Sequence, residues 1–305
     1  MIREELLNKV SQTLREAGYE VALQCTPSCF DILARSGHIL LVKVLTNVDS
    51  LYEEQAEDLK RIADVLDASP LLVGGTARGE MMKESTMYER HGIPAVSFDT
   101  FAETIVDKRL PFVYAKKGGF YAHINADFLK KLREKKDLSL NDLAREAGVS
   151  KATIQNYEKG EGAEVDNIFR LQEALGDLVL DPIDLFDFEE KPIEVQPRTV
   201  YEREIHAQLG DIGFKTTAVT KAAFSIVGKH KDDILLTGLR KESIEKKAQD
   251  IHGASMALEQ HGMFVVNKAV QKSVSGVPVL ERKELDKVVT SRELLKILKE
   301  LEEEQ

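Results

Sequence analysis

The spacing of apolar positions changes several times along the chain. Residues 1–21, MIREELLNKVSQTLREAGYEV, place them at helical intervals as far as Gly18, which predicts an amphipathic helix. Ile39–Leu45 and Leu71–Val73 are short unbroken apolar runs, as expected of strands covered on both faces. Phe112–Ala115 and Phe120–His123 flank Lys116-Lys117-Gly118-Gly119, the pattern of a β-hairpin closed by a glycine turn. From Asp127 the period is helical again. Phe128, Leu129, Leu132 and Leu138 form the stripe of a first helix. Ser139 with Asp142 resembles a capping box, and Leu140, Leu143, Ala144 and Ala147 form the buried face of a second. Gly148 stands where the chain must leave that helix, at positive φ. Ser150 caps a third helix, with Ile154 and Tyr157 facing inward and Gly160 closing it; a fourth runs from Ile168 to Leu175. Two short helices joined by so tight a turn cross steeply, and the second protrudes.

The flanks of this helical segment resemble each other in four blocks. LREAGYEV (14–21) parallels LGDIGFKT (209–216), and CFDILARSGHILLVKVL (29–45) parallels AFSIVGKHKDDILLTGL (223–239). QAEDLKRIADVLDASPLLVG (55–74) parallels KAQDIHGASMALEQHGMFVVN (247–267), and IPAVSFDTF (93–101) parallels VPVLERKEL (277–285). Each copy reads helix, strand, strand, helix, strand, then a short strand and helix, an α/β layer with a partly parallel sheet. The expected organisation is α/β plus all-α: an α/β unit over 1–110, a hairpin connector over 111–126, the helical module over 127–186, a linker over 187–199 and a second α/β unit over 200–305. Like units commonly pair, within or between chains, so the repeats read as a dimerisation scaffold.

Charge sharpens this picture. The chain of 305 residues carries a formal −10. Between Ala126 and Gly160, however, eight Lys/Arg face six Asp/Glu, a local excess of positive charge. Only Cys25 and Cys29 are present, which fits a reducing cytosol, and no apolar run is long enough to span a bilayer. A cytoplasmic protein is expected, with no membrane partner.

Leu138, Ser139, Leu143, Ala144, Gly148, Val149, Ser150, Ile154, Tyr157, Glu158 and Gly160 follow the pattern L-S-x-x-x-L-A-x-x-x-G-V-S-x-x-x-I-x-x-Y-E-x-G. This resembles the Cro/C1 repressor family, and the tail DPIDLF (181–186) resembles its closing helices, making five helices in all. The resemblance implies double-stranded DNA as partner and a recognition helix at about 150–159. It puts Lys151, Ala152 and Asn156 at base-reading positions, with Ser150, Thr153, Gln155 and Lys159 near phosphates or neighbouring bases. Lys can donate to guanine O6/N7 and Asn can pair with adenine, so Lys151, Ala152, Thr153, Gln155 and Asn156 form the expected reading set. Lys130, Lys131 and Arg145 add positive charge. Leu140 departs from the family, whose members often carry a phosphate-binding Gln there. Repressors of this kind bind palindromic sites as homodimers. Across most of its length the chain resembles archaeal regulators with such a domain in mid-chain.

Asp31 at a strand start and Leu41-Val42-Lys43 on the next resemble the restriction-endonuclease-like fold, whose enzymes carry Pro-Asp and then (Asp/Glu)-x-Lys. Asp31 and Lys43 match. Leu41 replaces the second carboxylate, and Pro27 stands four residues ahead of Asp31 rather than beside it. In the second copy Ser225 and Thr237 take the two positions. Such a site should hold Mg²⁺ poorly, although Glu5, Glu53 or Glu54 could supply a displaced ligand. A nuclease or DNA-repair accessory is therefore the alternative to a non-enzymatic regulator. Cys25 and Cys29 lack a second pair for zinc, and Gly74-Gly75-Thr76-Ala77-Arg78-Gly79 lacks the lysine of a phosphate-binding loop. No cofactor or metal is expected.

Overall fold

The computed structural model describes residues 2–188, 192, 193, 195–239 and 244–303. Part of the 187–199 linker and the last two residues of the C-terminal segment lie outside this set.

The first α/β unit starts from helix Arg3–Glu16. Its sheet runs in the order Glu20–Leu23, Ile32–Ser36, His38–Asn47, Ala68–Ala77, Ile93–Ser97, Thr86–Arg90. The three central strands are parallel and the outer pairings antiparallel. Along His38–Asn47, Leu40, Val42 and Val44 face one side, where Leu6, Val10 and Leu14 of the first helix and Phe101 and Ile105 of Phe98–Val106 cover them. Leu41 faces the other side, toward helix Glu53–Leu66. Both faces are covered, which accounts for the unbroken apolar run.

The second α/β unit opens with helix Val200–Asp211. Its sheet runs Lys215–Ala218, Ile226–His230, Asp233–Gly238, His261–Val266, Val277–Glu281, Ser273–Val274. Its central strands are again parallel. Helix Ile244–Leu258 covers one face; Val200–Asp211 and Ser291–Glu303 cover the other.

The two units pack on each other within the chain and share one core. Helix Glu53–Leu66 lies on Lys215–Ala218 and Ile226–His230, while Ile244–Leu258 lies on Glu20–Leu23 and Ile32–Ser36. Two fully buried carboxylates clamp the seam. Asp58 accepts from the N–H groups of Thr220 (3.0 Å) and Lys221 (2.7 Å), from the Thr220 hydroxyl (2.7 Å) and from Arg61. Asp250 accepts from the N–H groups of Cys25 (2.6 Å) and Thr26 (2.9 Å) and from the Thr26 hydroxyl. Phe30 and Phe224 meet between them, with ring centroids 6.3 Å apart.

One expectation changes. The segment 181–186 is not a helix. Leu180–Asp181 pairs as a short strand with His123 and Ile124, Pro182 has no N–H to donate, and Leu185 is buried in the core of the first unit. The helical module therefore has four helices, Ala126–Lys135, Leu140–Glu146, Lys151–Tyr157 and Val165–Leu175, rather than five. The hairpin Val113–Lys116/Gly119–Ile124 also joins more than neighbouring segments. It pairs in parallel with Thr86–Arg90 on one side and antiparallel with Ala163–Glu164 on the other, so the first sheet extends into the helical module. Finally, described residues of the linker are held along helix Glu53–Leu66: Ile193 N–H donates to Glu57, Arg61 donates to the Ile193 carbonyl, and Arg198 pairs with Glu54.

Candidate nucleic-acid interface

The helical module assembles on Leu129, Leu143, Ala144, Ala147, Ile154, Tyr157, Ile168, Leu171 and Leu175. Its first three helices begin at side-chain caps. Asn125 accepts from the Phe128 N–H at 3.0 Å. Ser139 accepts from the Asp142 N–H at 3.2 Å while Asp142 accepts from the Ser139 N–H at 3.2 Å, a reciprocal capping box. Ser150 accepts from the Thr153 N–H at 3.0 Å and shares a 2.8 Å hydrogen bond with the Thr153 hydroxyl. Gly148, at φ +64°, makes the turn between the second and third helices.

Inward-facing Ile154 and Tyr157 leave the opposite face of helix Lys151–Tyr157 in solvent. Lys151, Ala152 and Gln155 are exposed and Thr153 and Asn156 half-buried; Ser150 and Lys159 are exposed at the two ends. Lys151 and Gln155 fall at i and i+4 on this helix and so form one stripe, with Lys159 in the turn past its end. Lys130 and Lys131 are exposed on the separate helix Ala126–Lys135. Arg145 is exposed too, but its guanidinium is paired with Asp142 at 2.8 Å. Leu140 is half-buried against the module's core, so it offers no donor to a phosphate.

Sequence reasoning missed the brace behind this helix. Arg133 donates from Nε to Glu158 at 2.6 Å and from Nη2 at 3.2 Å, and from Nη1 to the Leu138 carbonyl at 3.0 Å. The bidentate pair ties the first helix to the end of the third. It also holds the Arg133 guanidinium above its ordinary pKa, chiefly through the Glu158 hydrogen bond. The available signal was Glu158 itself, within the helix-turn-helix pattern.

The residues resembling a nuclease site sit in the first unit. Asp31 and Lys43 are both buried, with Nζ 3.1 Å from Oδ1. Asp31 Oδ1 also meets Arg3 at 2.6 Å, and Oδ2 accepts from the Val44 N–H at 2.8 Å. Lys43 Nζ donates to the Ser28 carbonyl at 2.6 Å. Both carboxylate oxygens are thus engaged by donors. Leu41 is fully buried, and the described residues contain no group of three His, Cys, Asp or Glu able to hold a metal ion. This donor set does not fit Mg²⁺, which wants several free oxygen ligands. Of the suggested replacements, Glu5 accepts from the Ile2 N–H, Glu54 pairs with Arg198, and Glu53 is exposed at the start of helix Glu53–Leu66. In the second unit, Ser225 N–H donates to Thr237 as Asp31 N–H does to Val42. The position matching Lys43 is therefore Gly238, not Thr237, and the Phe264 ring fills the space its side chain would take.

Comparison with known proteins accords with this geometry. Residues 3–111 match the model of a PD-(D/E)XK superfamily domain, and residues 129–178 match a helix-turn-helix model. A protein of Thermococcus kodakarensis is 37% identical over 311 residues, spanning 100% of this chain and 98% of its own length. One of Archaeoglobus fulgidus is 33% identical, spanning 97% of each. One of Pyrococcus abyssi is 36% identical, spanning 99% of each. All three carry the name "Putative HTH-type transcriptional regulatory protein". With such identity along its whole length, this chain belongs to the same family, in which a helix-turn-helix follows a PD-(D/E)XK superfamily domain.

Proposed function

We propose that the chain is a transcriptional regulator that reads double-stranded DNA with Lys151, Ala152, Thr153, Gln155 and Asn156. Ser150, Lys159, Lys130, Lys131 and Arg145 serve the phosphate backbone. The observation that carries this reading is the capped helix Lys151–Tyr157: its apolar side is locked into the core and its outer side is polar and cationic. Its N-terminus gathers Ser150, Lys151 and the free backbone N–H groups, a suitable end to enter the major groove. Lys151→Ala and Asn156→Ala leave the module's core intact. Each should relax preference at one base pair and cost about 1–3 kcal/mol on the preferred site. Footprint-derived duplexes titrated with both variants provide the check; unchanged preference in both would refute the assignment.

The α/β units serve as a scaffold in this proposal, two copies of one architecture. Their matching strand orders and the paired clamps of Asp58 and Asp250 support a duplication. Asp31 and Lys43 act as a buried ion pair rather than in DNA cleavage, because the carboxylate is already held by two cations and a backbone N–H and, among the described residues, no second carboxylate stands beside it. The chain carries one recognition helix, so a palindromic operator takes two copies. The faces that like units would use to pair are consumed inside each chain. The homodimer therefore forms through other surfaces.

A further inference from the structure

The hairpin Val113–Lys116/Gly119–Ile124 is mounted directly on the far end of the recognition helix. Ala122 pairs with Ala163, and Tyr121 with Glu164. Gly162, in the loop leaving the helix, lies so tightly on the Tyr114 hydroxyl that no side chain would fit there. Tyr114 in turn stacks on His123, centroids 5.0 Å apart, and on Tyr121 at 5.9 Å. Side chains alternate along a strand, so Lys116 shares the face of Tyr114, the face on which this loop rests. At about 3.3 Å per residue it stands roughly 7 Å further out. Gly118, at φ +106°, turns the tip, and Arg78 donates to the Lys116 carbonyl at 2.9 Å, steadying it. Lys116 and Lys117 are exposed, and neither figures in an ion pair among the described residues. Glu164 is the acid on the same face, beside Gly119.

We propose that the Lys116–Lys117 tip is a second DNA contact, gripping backbone phosphates beside the groove that Lys151–Tyr157 enters. Rigid pairing to the strand after the recognition helix sets its distance from that helix. Two ammonium groups on flexible stems bind phosphate as point charges and read no base. The tip therefore adds affinity and register without adding sequence preference. This rests on the DNA-reading function proposed above.

The test uses the full chain, fluorescence anisotropy and a labelled duplex of mixed sequence, titrated across KCl concentrations. Each phosphate contact contributes about 0.9 to the slope of log K against log salt. Lys116→Ala/Lys117→Ala should lower the slope by about 1–2 and weaken all duplexes alike, with an unchanged circular-dichroism melt. Glu164→Gln should tighten binding, a change that damage to the fold would not produce. An unchanged slope in the folded double variant, beside normal loss of preference in Asn156→Ala, would overturn the tip contact and leave the recognition helix standing. No salt-dependent binding by the wild type would overturn both.

Discussion

At the scale of single residues, Asp142 shows how a helix cap holds a charge. Its carboxylate sits below the ordinary range, first because the Ser139 hydroxyl and backbone N–H donate to it, then through Arg145. A carboxylate with a lowered folded pKa contributes stability that is present above its unfolded pKa, about 3.9, and lost as pH falls through the folded value. Asp142→Asn should therefore melt below the wild type at neutral pH, and the gap should close as the buffer is taken below about pH 4. A gap that stays constant down to pH 2 would mean that the charge is irrelevant to the cap. Gly148, Ser139 and Ser150 were legible from residue type because caps and left-handed turns are local chemistry. The Arg133–Glu158 brace was not. It joins residues on two helices, and nothing in their neighbours' identity marks the pairing.

At the scale of elements, the apolar runs identified buried strands but could not set their register. Letter matching put Thr237 opposite Lys43, whereas the pairing of Ile226 with Thr237 and of Ile32 with Val42 moves the match to Gly238. A one-residue slip turns a side chain to the other face, so this difference decides whether the second unit retains a polar group at the site. The segment 181–186 failed as a helix for a related reason: burial of Leu185 and strand pairing of Leu180 are tertiary choices. In the first unit, Asp31 joins three elements, with Arg3 on the first helix, Lys43 and Val44 on the central strand, and Asp31 itself at the head of Ile32–Ser36. Asp31→Ala leaves the Lys43 ammonium buried without its partner, which should cost about 3–5 kcal/mol in urea denaturation. Mg²⁺ should shift the wild-type melting temperature no more than the same ionic strength of KCl. A specific Mg²⁺ stabilisation abolished by Asp31→Ala would contradict the structural role.

At the scale of the whole molecule, contacts between the two α/β units hold them on one shared core. Asp58 and Asp250 stand at matching places in the 55–74 and 247–267 blocks, and each reaches a threonine in the loop after the first strand of the opposite unit. Each carboxylate therefore stabilises the seam from one side, with the Phe30–Phe224 contact between them. Sequence blocks alone left open whether like units pair within or between chains, since either arrangement buries the same faces. Linker residues tied to Glu57 and Arg61 favour pairing within the chain, because tethering raises the effective concentration of the second unit. Asp58→Ala leaves two backbone N–H groups and the Arg61 guanidinium without their acceptor and should cost about 3–5 kcal/mol. If the units fold as one, that loss reaches both. Hydrogen exchange should then show protection falling together in Ala68–Ala77 of the first sheet and Asp233–Gly238 of the second, and Asp250→Ala should give the same pattern. Protection lost only in the unit that carries the substitution would mean two independent folds in contact.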